Sequence, residues 1–433
     1  MRHAHFYRLI AAEVSSFTRY YDRVVQTAVV DGDDGALLDA IEAPEKLRAD
    51  ELPSMTGERT RRTAVLLNGT LNHHLDIESL LGGIKRKLAR TSRVAVIAFN
   101  PYLGALYRLA IRLGIKRGAV PTTFLTRVSL DNLARLAGFE IVRIRPAVYL
   151  PWNVPLLAWL LNTLMPTVPL VRWLGLVNVI VLRPVIADAE RPSLSIVIPA
   201  RNERGNIESA LQRLPDLGAN VEVLFVEGNS SDGTWEEIGR VVEAWRDRVD
   251  VRALKQTGRG KNDAVRLGFS EARGELLTIL DADLTMPPEK LASFYDAYVA
   301  GRADFVNGSR LVYPMEGQAM RFLNHLANLF FARLLSAVLD NRIGDSLCGT
   351  KLVARHDYQR FLRWRERFGD FDPFGDFELL FPAASLALGT IDVPVYYRAR
   401  TYGTTNIRRF RDGLDLLKMA VIGFVKIKVG RTR

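Results

Sequence analysis

Two aspartates lie two residues apart, directly after an apolar run, in the segment ILDADLTMPP, residues 279–288. Side chains alternate along an extended strand, so Asp281 and Asp283 are expected to point the same way. Two carboxylates on one side repel each other unless a cation lies between them or one takes up a proton. Their oxygens suit Mg²⁺ or Mn²⁺, especially when substrate phosphates complete the shell. The pair alone is a weak signal for a metal site, so the neighbouring loops must decide.

One neighbouring loop is built to approach a phosphate. It reads QTGRGKNDAVRLG, residues 256–268, and leads into a predicted helix. Gly258 and Gly260 allow the backbone to come close, while Arg259 and Lys261 supply positive charge. The loop matches neither a Walker sequence nor the GxGxxG of a dinucleotide fold. It therefore indicates a metal-bound diphosphate whose nucleoside end lies against the first two strands.

The elements that position these groups alternate from Leu194 onward. Strand-like segments read LSIVIPA, VEVLFVE, VDVRALKQ and ELLTILDAD, and helix-like segments separate them. This alternation predicts an α/β fold with a mostly parallel sheet covered on both faces, and ligands at the carboxyl ends of its strands. Glu203 and Glu227 close the first two strands, and the turn GNSSDGT that follows the second opens a helix at Asp232.

Five ordered motifs within residues 194–411 resemble family 2 glycosyltransferases, most of all the polyprenyl-phosphate, dolichyl-phosphate mannose synthase-like branch. They read LSIVIPARNERGNI, VEGNSSDGTWE, GRGKNDAVRLG, LLTILDADLTMPPEKL and ADFVNGSRL. The resemblance implies a GT-A fold, that is, a Rossmann-like nucleotide-sugar-binding sheet with a metal site. It also implies transfer of the sugar with inversion.

The resemblance assigns Asp281 and Asp283 to Mg²⁺ or Mn²⁺. The residues that it places around a UDP- or GDP-linked donor are Pro199, Ala200, Glu203, Glu227, Gly260, Lys261, Asp281 and Arg400. Two departures from the family pattern matter. Glu227 opens EGNS where the family usually has DDGS, which leaves the base preference open, and Thr404 replaces a more usual acidic residue.

For the acceptor side, the resemblance points to three candidate catalytic residues, Arg310, Asp345 and Asp376. Arg310, together with Arg321 and Asn324, falls near positions that hold an acceptor phosphate; the alternative for the last two is a solvated helix face. Asp376 is either the base for a sugar hydroxyl or the N-terminal cap of a helix, because an ionised phosphate acceptor needs no strong base. Cys348, the one cysteine of the chain, is expected to be a small buried packing residue.

The first part of the chain resembles the later half of a class I, S-adenosylmethionine-dependent methyltransferase. The segments that carry this resemblance are TAVLLNGTLNHHLDIESLLGGIKRKLARTSRVAVIAFNPYLGALYRLA and VSLDNLARLAGFEIV. Asp33 and Asp34 interrupt the expected Gly-x-Gly loop, and about 25 residues then leave too little room for the next strand, helix and strand. We therefore expect a degenerate domain that does not bind S-adenosylmethionine, with His73 and His74 as loop residues.

The net charge of the 433 residues is +11, and +8 of it lies from Arg398 to the C-terminus. That tail predicts a basic amphipathic helix, either packed with a solvated face or lying on an anionic membrane surface. Nucleic acid is not an expected partner, because no aromatic-interleaved basic stripe accompanies the charge. For the apolar stretch 154–184 we favour buried core over a membrane-surface element, because prolines and Arg172 divide it into pieces too short to span a bilayer.

Together these patterns predict two domains. Residues 1–188 form the smaller, truncated methyltransferase-like domain and residues 189–433 form the glycosyltransferase domain. The predicted function is transfer of a sugar from a nucleotide sugar to a lipid-linked polyprenyl phosphate, by a cytoplasmic protein peripherally attached to the inner membrane face. The alternatives are transfer to a sugar hydroxyl of a cell-surface glycan, or an N-terminal half that serves as a partner-binding module. The sequence leaves the oligomeric state open.

Overall fold

The computed structural model describes residues 2–31, 33–113, 121–313, 322–370, 372, 375–400, 402 and 409–430. The chain divides into two compact units. Unit 1 comprises Met1–Ile186 with Ser385–Leu388 and Phe424–Arg433, and unit 2 comprises Ala187–Ala384 with Gly389–Gly423.

Unit 1 contains a six-stranded mixed sheet. Its strands are β1 (Arg23–Gln26), β2 (Glu45–Arg48), β3 (Thr63–Asn68), β4 (Arg93–Phe99), β5 (Phe139–Ala147) and β6 (Val177–Pro184). The spatial order is β2-β1-β3-β4-β6-β5. The first four are parallel to one another, whereas β6 is antiparallel to both β4 and β5.

The helices of unit 1 connect these strands. They are α1 (Arg2–Thr18), α2 (Ala36–Ala40), α3 (Ile77–Lys85), α4 (Gly104–Arg112), α5 (Arg127–Leu136) and α6 (Leu157–Leu164). Buried residues of α3 and α5 share one apolar cluster with β3, β4 and β6, and buried residues of α1 and α2 share another with the same sheet. The sheet is therefore covered on both faces.

Hydrogen bonds of Asp33 hold the loop after β1 against the ends of β1 and β3. The Asp33 carboxylate accepts hydrogen bonds from Gln26 Nε2 (2.7 Å) and Asn68 Nδ2 (2.8 Å), at the ends of β1 and β3, and from Gly35 N (2.8 Å). In the resemblance to class I methyltransferases, this loop stands where the Gly-x-Gly cofactor loop is expected. The short interval that follows holds one further strand, β2, before β3 begins.

Unit 2 contains a seven-stranded sheet. Its strands are β7 (Leu194–Ala200), β8 (Val221–Glu227), β9 (Asp250–Lys255), β10 (Leu276–Ile279), β11 (Phe305–Ser309), β12 (Lys351–Ala354) and β13 (Thr390–Pro394). The spatial order is β13-β11-β12-β10-β7-β8-β9. All pairs are parallel except that β12 lies antiparallel between β10 and β11. The prediction of an α/β fold with a mostly parallel sheet is confirmed.

Eight helices of the described chain belong to unit 2. They are α7 (Ile207–Gln212), α8 (Thr234–Trp245), α9 (Gly260–Glu271), α10 (Leu291–Val299), α11 (Phe322–Leu339), α12 (Arg355–Phe368), α13 (Phe377–Ser385, whose last residue is grouped with unit 1) and α14 (Arg409–Gly423). The helix predicted to open at Asp232 begins two residues later, at Thr234. Asp232 lies in the turn before it, where its carboxylate accepts a hydrogen bond from Thr234 N (3.1 Å).

The expectation that residues 154–184 are buried core is correct for β6 only. Val177 to Leu182 of that strand are buried or nearly so, whereas Trp159, Leu170 and Trp173 are exposed. The apolar run therefore divides into a core strand and a preceding segment that faces solvent.

The C-terminal helix α14 packs against α11. It buries Leu416, Met419 and Ala420, whereas Leu414, Leu417 and Val421 of the same helix are exposed. The helix therefore packs on one side and leaves further apolar side chains uncovered. Within the described residues, no helix is both long enough and apolar enough to cross a membrane.

Candidate active site

A cavity of about 460 Å³ lies at the carboxyl edge of β7, β8 and β10. The predicted residues that line it are Pro199, Ala200, Glu203, Gly260, Lys261, Asp281, Asp283 and Arg400. Residues that the sequence reasoning did not select line it as well, namely Arg201, Gly228, Gln256, Ala264, Ala282 and Tyr397. The parallel strands explain this convergence, because their carboxyl ends share one edge of the sheet.

Asp281 is held by a lysine from the glycine-rich loop. Lys261 Nζ is ion-paired with Asp281 Oδ1. Burial by itself would raise the pKa of Asp281, but the positive charges of Lys261, Lys351 and Arg310 outweigh it and lower the pKa. Burial would likewise lower the pKa of Lys261, but Asp281, Asp376 and Asp283 outweigh it and raise the pKa. Both groups are therefore charged at neutral pH.

Asp283 is fixed from two sides. Its Oδ1 accepts hydrogen bonds from Thr285 N (3.1 Å) and Thr285 Oγ1 (2.8 Å), and its Oδ2 is ion-paired with Arg400 Nη2 at 2.6 Å. Arg400 Nη1 also lies 3.5 Å from Glu203 Oε1. The two aspartates thus face one cavity, each beside its own cation.

The two glutamates at the ends of β7 and β8 differ in environment. Glu203 lines the cavity and accepts from Asn206 Nδ2 (2.8 Å); burial raises its pKa, against the opposing effects of Asn206 and Arg400. Glu227 does not line the cavity. One of its oxygens accepts from Ser230 N (2.5 Å), and its buried Oε2 has no hydrogen-bond partner among the described residues. The neighbouring Gly228 lines the cavity instead.

A second lysine, which the sequence reasoning missed, pairs with Asp376. Lys351 is the first residue of β12 and is almost fully buried; its Nζ is 2.5 Å from Asp376 Oδ1 and also donates to the Cys348 carbonyl. Because β12 is antiparallel to its neighbours, its first residue lies at the edge where the others end. No signal in the sequence pointed to this lysine, because the reversed direction of β12 was not foreseen.

The start of α13 settles which aspartate caps it. The Asp372 carboxylate accepts from Phe377 N (2.8 Å) and Glu378 N (3.0 Å), so Asp372 supplies the side-chain cap. Asp376 was predicted as either a base or this cap. The capping alternative is wrong for the Asp376 side chain, which bonds Lys351. The sequence signal for Asp372 as a cap was its position before an apolar run, which is typical of the start of a helix.

Arg310 and Asp345, both predicted as catalytic, are partners of each other. Arg310 Nε and Nη2 lie 2.7 and 2.9 Å from the two Asp345 oxygens, and Arg310 N donates as well (3.1 Å). Burial by itself would raise the pKa of Asp345, but pairing with Arg310 lowers it. The guanidinium also lies 5.4 Å from the ring centroid of Tyr397, which lines the cavity. Asp345 is fully buried, so within this geometry it holds Arg310 in place.

Cys348 is buried, as expected for a packing residue. Burial, with a contribution from Asp345, raises the pKa of its thiol to about 12. Three other residues singled out in the sequence cannot be placed. Arg321 and Thr404 lie outside the described residues, and Asn324 falls on α11 but its side chain is outside the described part. Their predicted roles stay predictions.

The middle of the chain is similar to known glycosyltransferases. Residues 195–362 match the family model described as glycosyl transferase family 2. A dolichol-phosphate mannosyltransferase of Pyrococcus furiosus is 36% identical over 121 residues, which are 28% of this chain and 33% of that protein. An undecaprenyl-phosphate 4-deoxy-4-formamido-L-arabinose transferase of Klebsiella pneumoniae is 27% identical over 214 residues, 48% of this chain and 61% of that protein.

Among solved structures, the mannosyltransferase PcManGT from Pyrobaculum calidifontis in complex with GDP-Man and Mn²⁺ aligns with a TM-score of 0.39. The identity is 19%, and the alignment covers 57% of this chain and 71% of that one. This chain thus spans between one third and three fifths of the length of these two curated relatives. The match to the family model includes Glu203, Lys261, Asp281 and Asp283, so the part of the chain that carries most of the cavity is similar to glycosyl transferase family 2.

Proposed function

We propose that the protein is a metal-dependent, inverting glycosyltransferase of GT-A fold, which moves a sugar from a nucleotide sugar to a lipid-linked polyprenyl phosphate. The observation that carries this proposal is the cavity at the carboxyl edge of the unit 2 sheet, where Asp281 and Asp283 lie beside Lys261 and Arg400. The relatives named for dolichol-phosphate and undecaprenyl-phosphate transfer support the choice of acceptor.

The two aspartates of the cavity are suitable ligands for a hard divalent cation. Asp281 and Asp283 are carboxylates, the ligand type that Mg²⁺ and Mn²⁺ prefer. No group of three His, Cys, Asp or Glu side chains suited to a metal occurs among the described residues. That is compatible with Mg²⁺, which is commonly held by one or two carboxylates together with substrate phosphates. Bound there, the cation would offset the negative charge that develops on the leaving nucleoside diphosphate.

The side chains of the cavity have complementary tasks in this reaction. Lys261 and Arg400 place two fixed positive charges where a diphosphate would bind, and α9 begins at Gly260, which lines the same cavity, so the helix N-terminus adds to the positive potential there. Gly260 has a φ of 88°, a left-handed value that glycine adopts without strain. Pro199, Ala200 and Gly228 leave an uncharged wall for the nucleoside.

The contact between Asp376 and Lys351 supports the choice of a phosphate acceptor. An acceptor hydroxyl needs a base that takes its proton, and the Lys351 ammonium competes for the Asp376 carboxylate at 2.5 Å. A phosphate acceptor is already ionised and needs no such base. Lys351 and Arg310, both of which act on the charge of Asp281, instead provide positive charge that favours a phosphate nucleophile. The contact therefore favours the phosphate acceptor over a sugar hydroxyl.

The test uses the purified full chain with radiolabelled UDP-, GDP- and dTDP-sugars and polyprenyl phosphate in detergent, with Mn²⁺ or with EDTA. Asp283→Asn is compared with Asp247→Asn, which changes an exposed aspartate on the turn after α8. We expect label in the organic phase, lost with EDTA and with Asp283→Asn but kept with Asp247→Asn.

The other outcomes overturn defined parts of the proposal. Metal-dependent hydrolysis of a donor without labelled lipid would contradict the acceptor and leave the sugar-hydroxyl alternative. Transfer that persists in EDTA or in Asp283→Asn would contradict the metal site. No donor turnover and no metal-dependent nucleotide binding would contradict the enzymatic function as a whole.

A further inference from the structure

The segment between β5 and β6 exposes an unusual amount of apolar surface. These strands are antiparallel neighbours, paired at Ala147 and Val177, and residues 148–176 form the long connection between them. We call residues 148–176 the tryptophan hairpin. Eleven of its large apolar side chains are exposed, and Trp152, Trp159 and Trp173 are three of the six tryptophans of the chain. Isolated exposed apolar residues are normal, whereas a contiguous set indicates an interaction surface.

The tryptophan hairpin is held together from inside by polar groups. Asn162 on α6 accepts from Tyr149 N (2.7 Å) and donates to Leu150 O (3.0 Å) and Ala158 O (2.8 Å). Tyr149 also donates through its hydroxyl to Arg172 O (2.7 Å). The polar bonds thus lie within the segment and the leucines and tryptophans point outward. This is the reverse of the usual arrangement in water.

The charge of this region has one sign. No Asp or Glu occurs from residue 141 to residue 187. Arg172 lies 5.9 Å from the ring centroid of Trp173, and α6 contacts the C-terminal π-helical segment Phe424–Val429, which exposes Val425 and Lys426. The segment itself therefore carries no carboxylate that would repel an anionic partner, and Glu13, whose charge acts on Tyr149, is buried and lies 3.7 Å from Arg145.

We propose that the tryptophan hairpin inserts into the headgroup region of an anionic lipid bilayer. Tryptophan prefers the membrane–water interface, where its ring is apolar and its N–H stays hydrated. Leucines inserted between headgroups bind by burial of apolar area, and flanking basic residues add attraction to anionic lipid. The inference rests on the proposed function in one respect: a lipid-linked acceptor gives the protein a reason to bind a bilayer.

The experiment is co-sedimentation of the full chain with vesicles of phosphatidylglycerol and phosphatidylcholine in equal parts, and with phosphatidylcholine alone. Leu170→Glu is the test variant and Leu75→Glu the matched control. Both leucines belong to unit 1 and are exposed to a similar degree, 87% and 90%, but only Leu170 lies in the hairpin. Tryptophan fluorescence is recorded on the same samples.

We expect the wild-type protein to sediment with the anionic vesicles more than with the neutral ones, and its tryptophan emission to shift to shorter wavelength. Leu170→Glu is expected to weaken vesicle binding by roughly tenfold or more, because one leucine is withdrawn and a repelled charge is added. Leu75→Glu should bind as the wild type does.

Three results would overturn the inference. They are no binding to either vesicle, equal loss in both variants, and a self-associated wild-type protein that Leu170→Glu disperses without any lipid binding. Metal-dependent hydrolysis of a soluble nucleotide sugar, measured on every variant, separates this failure from failure of the proposed function. A protein that hydrolyses the nucleotide sugar but does not bind vesicles would contradict only the proposed membrane binding of the tryptophan hairpin.

Discussion

Gly349→Ala should damage the candidate active site without unfolding the protein. A Cβ added at Gly349 would lie 3.0 Å from Asp281 Cγ and closer still to Asp281 Oδ2 and Lys261 Nζ, whereas ordinary van der Waals contact begins at 3.4 Å. The carboxylate and the ammonium must each retreat by roughly 1 Å, a displacement that can cost about 100-fold in rate at a catalytic group. Both atoms end flexible side chains, so the folding free energy should change little.

The assay is donor turnover with Mn²⁺, together with thermal unfolding by calorimetry. Gly239→Ala on α8 is the matched control, because nothing lies within 4 Å of the added Cβ. We expect turnover of Gly349→Ala to fall by about two orders of magnitude with Tm close to wild type. Gly239→Ala should keep full turnover and gain up to about 1 kcal/mol of stability, because alanine favours a helix over glycine. Wild-type turnover in Gly349→Ala would refute the reasoning.

Three further predictions concern groups near the site. Asp372→Ala should cost about 1 kcal/mol in urea unfolding, because α13 loses the side chain that caps its first N–H groups. Asp345→Asn should cost about 3–5 kcal/mol at neutral pH, because it leaves the Arg310 guanidinium without its buried carboxylate. The folded pKa of Asp345 lies below its ordinary value of 3.8, so the pair stabilises above that pH and its contribution disappears as the pH falls further; acid titration of stability should lose this step in Asp345→Asn. Cys348, with a thiol pKa of about 12, should not react with dithionitrobenzoate at pH 8 in the native state and should react fully in guanidinium chloride.

Each of these has a clear contrary result. Unchanged urea stability in Asp372→Ala would mean that water or another group caps α13 equally well. An acid unfolding curve that is the same for Asp345→Asn and wild type would show that the Arg310 pair does not control the acid limb. Rapid labelling of native Cys348 would show that the loop before β12 opens.

The convergence of several predicted residues on one cavity was predictable because they follow the carboxyl ends of consecutive parallel strands. Asp281, Asp283, Glu203 and Lys261 lie within about 80 residues of sequence, and alternation of strands with helices already orders them along one edge. Arg400 was placed only through the family resemblance.

The positions of Lys351 and its partner Asp376 were less predictable, because they depend on strand direction. Lys351 reaches the site only because β12 runs against its neighbours, and a four-residue apolar strand carries no signal of its direction. Asp376 and Asp372 compete for the cap of α13, and spacing alone could not choose between them. The tryptophan hairpin was mistaken for core because apolar composition does not distinguish a surface that binds lipid from one that binds the rest of the chain.

The reversed strand β12 also bears on how the protein is made. A chain leaves the ribosome from its N-terminus, so β7 to β10 can pair in order as they emerge. The edge of β10 then stays open until residues 351–354 arrive and separate it from β11, and an open edge is a template for pairing with other chains. Lys351 enters the site with that strand, and Arg400 follows almost 50 residues later. A nascent chain therefore carries both aspartates and Lys261 long before it holds Lys351 and Arg400, and the cavity is complete only when the last part of the sheet has closed.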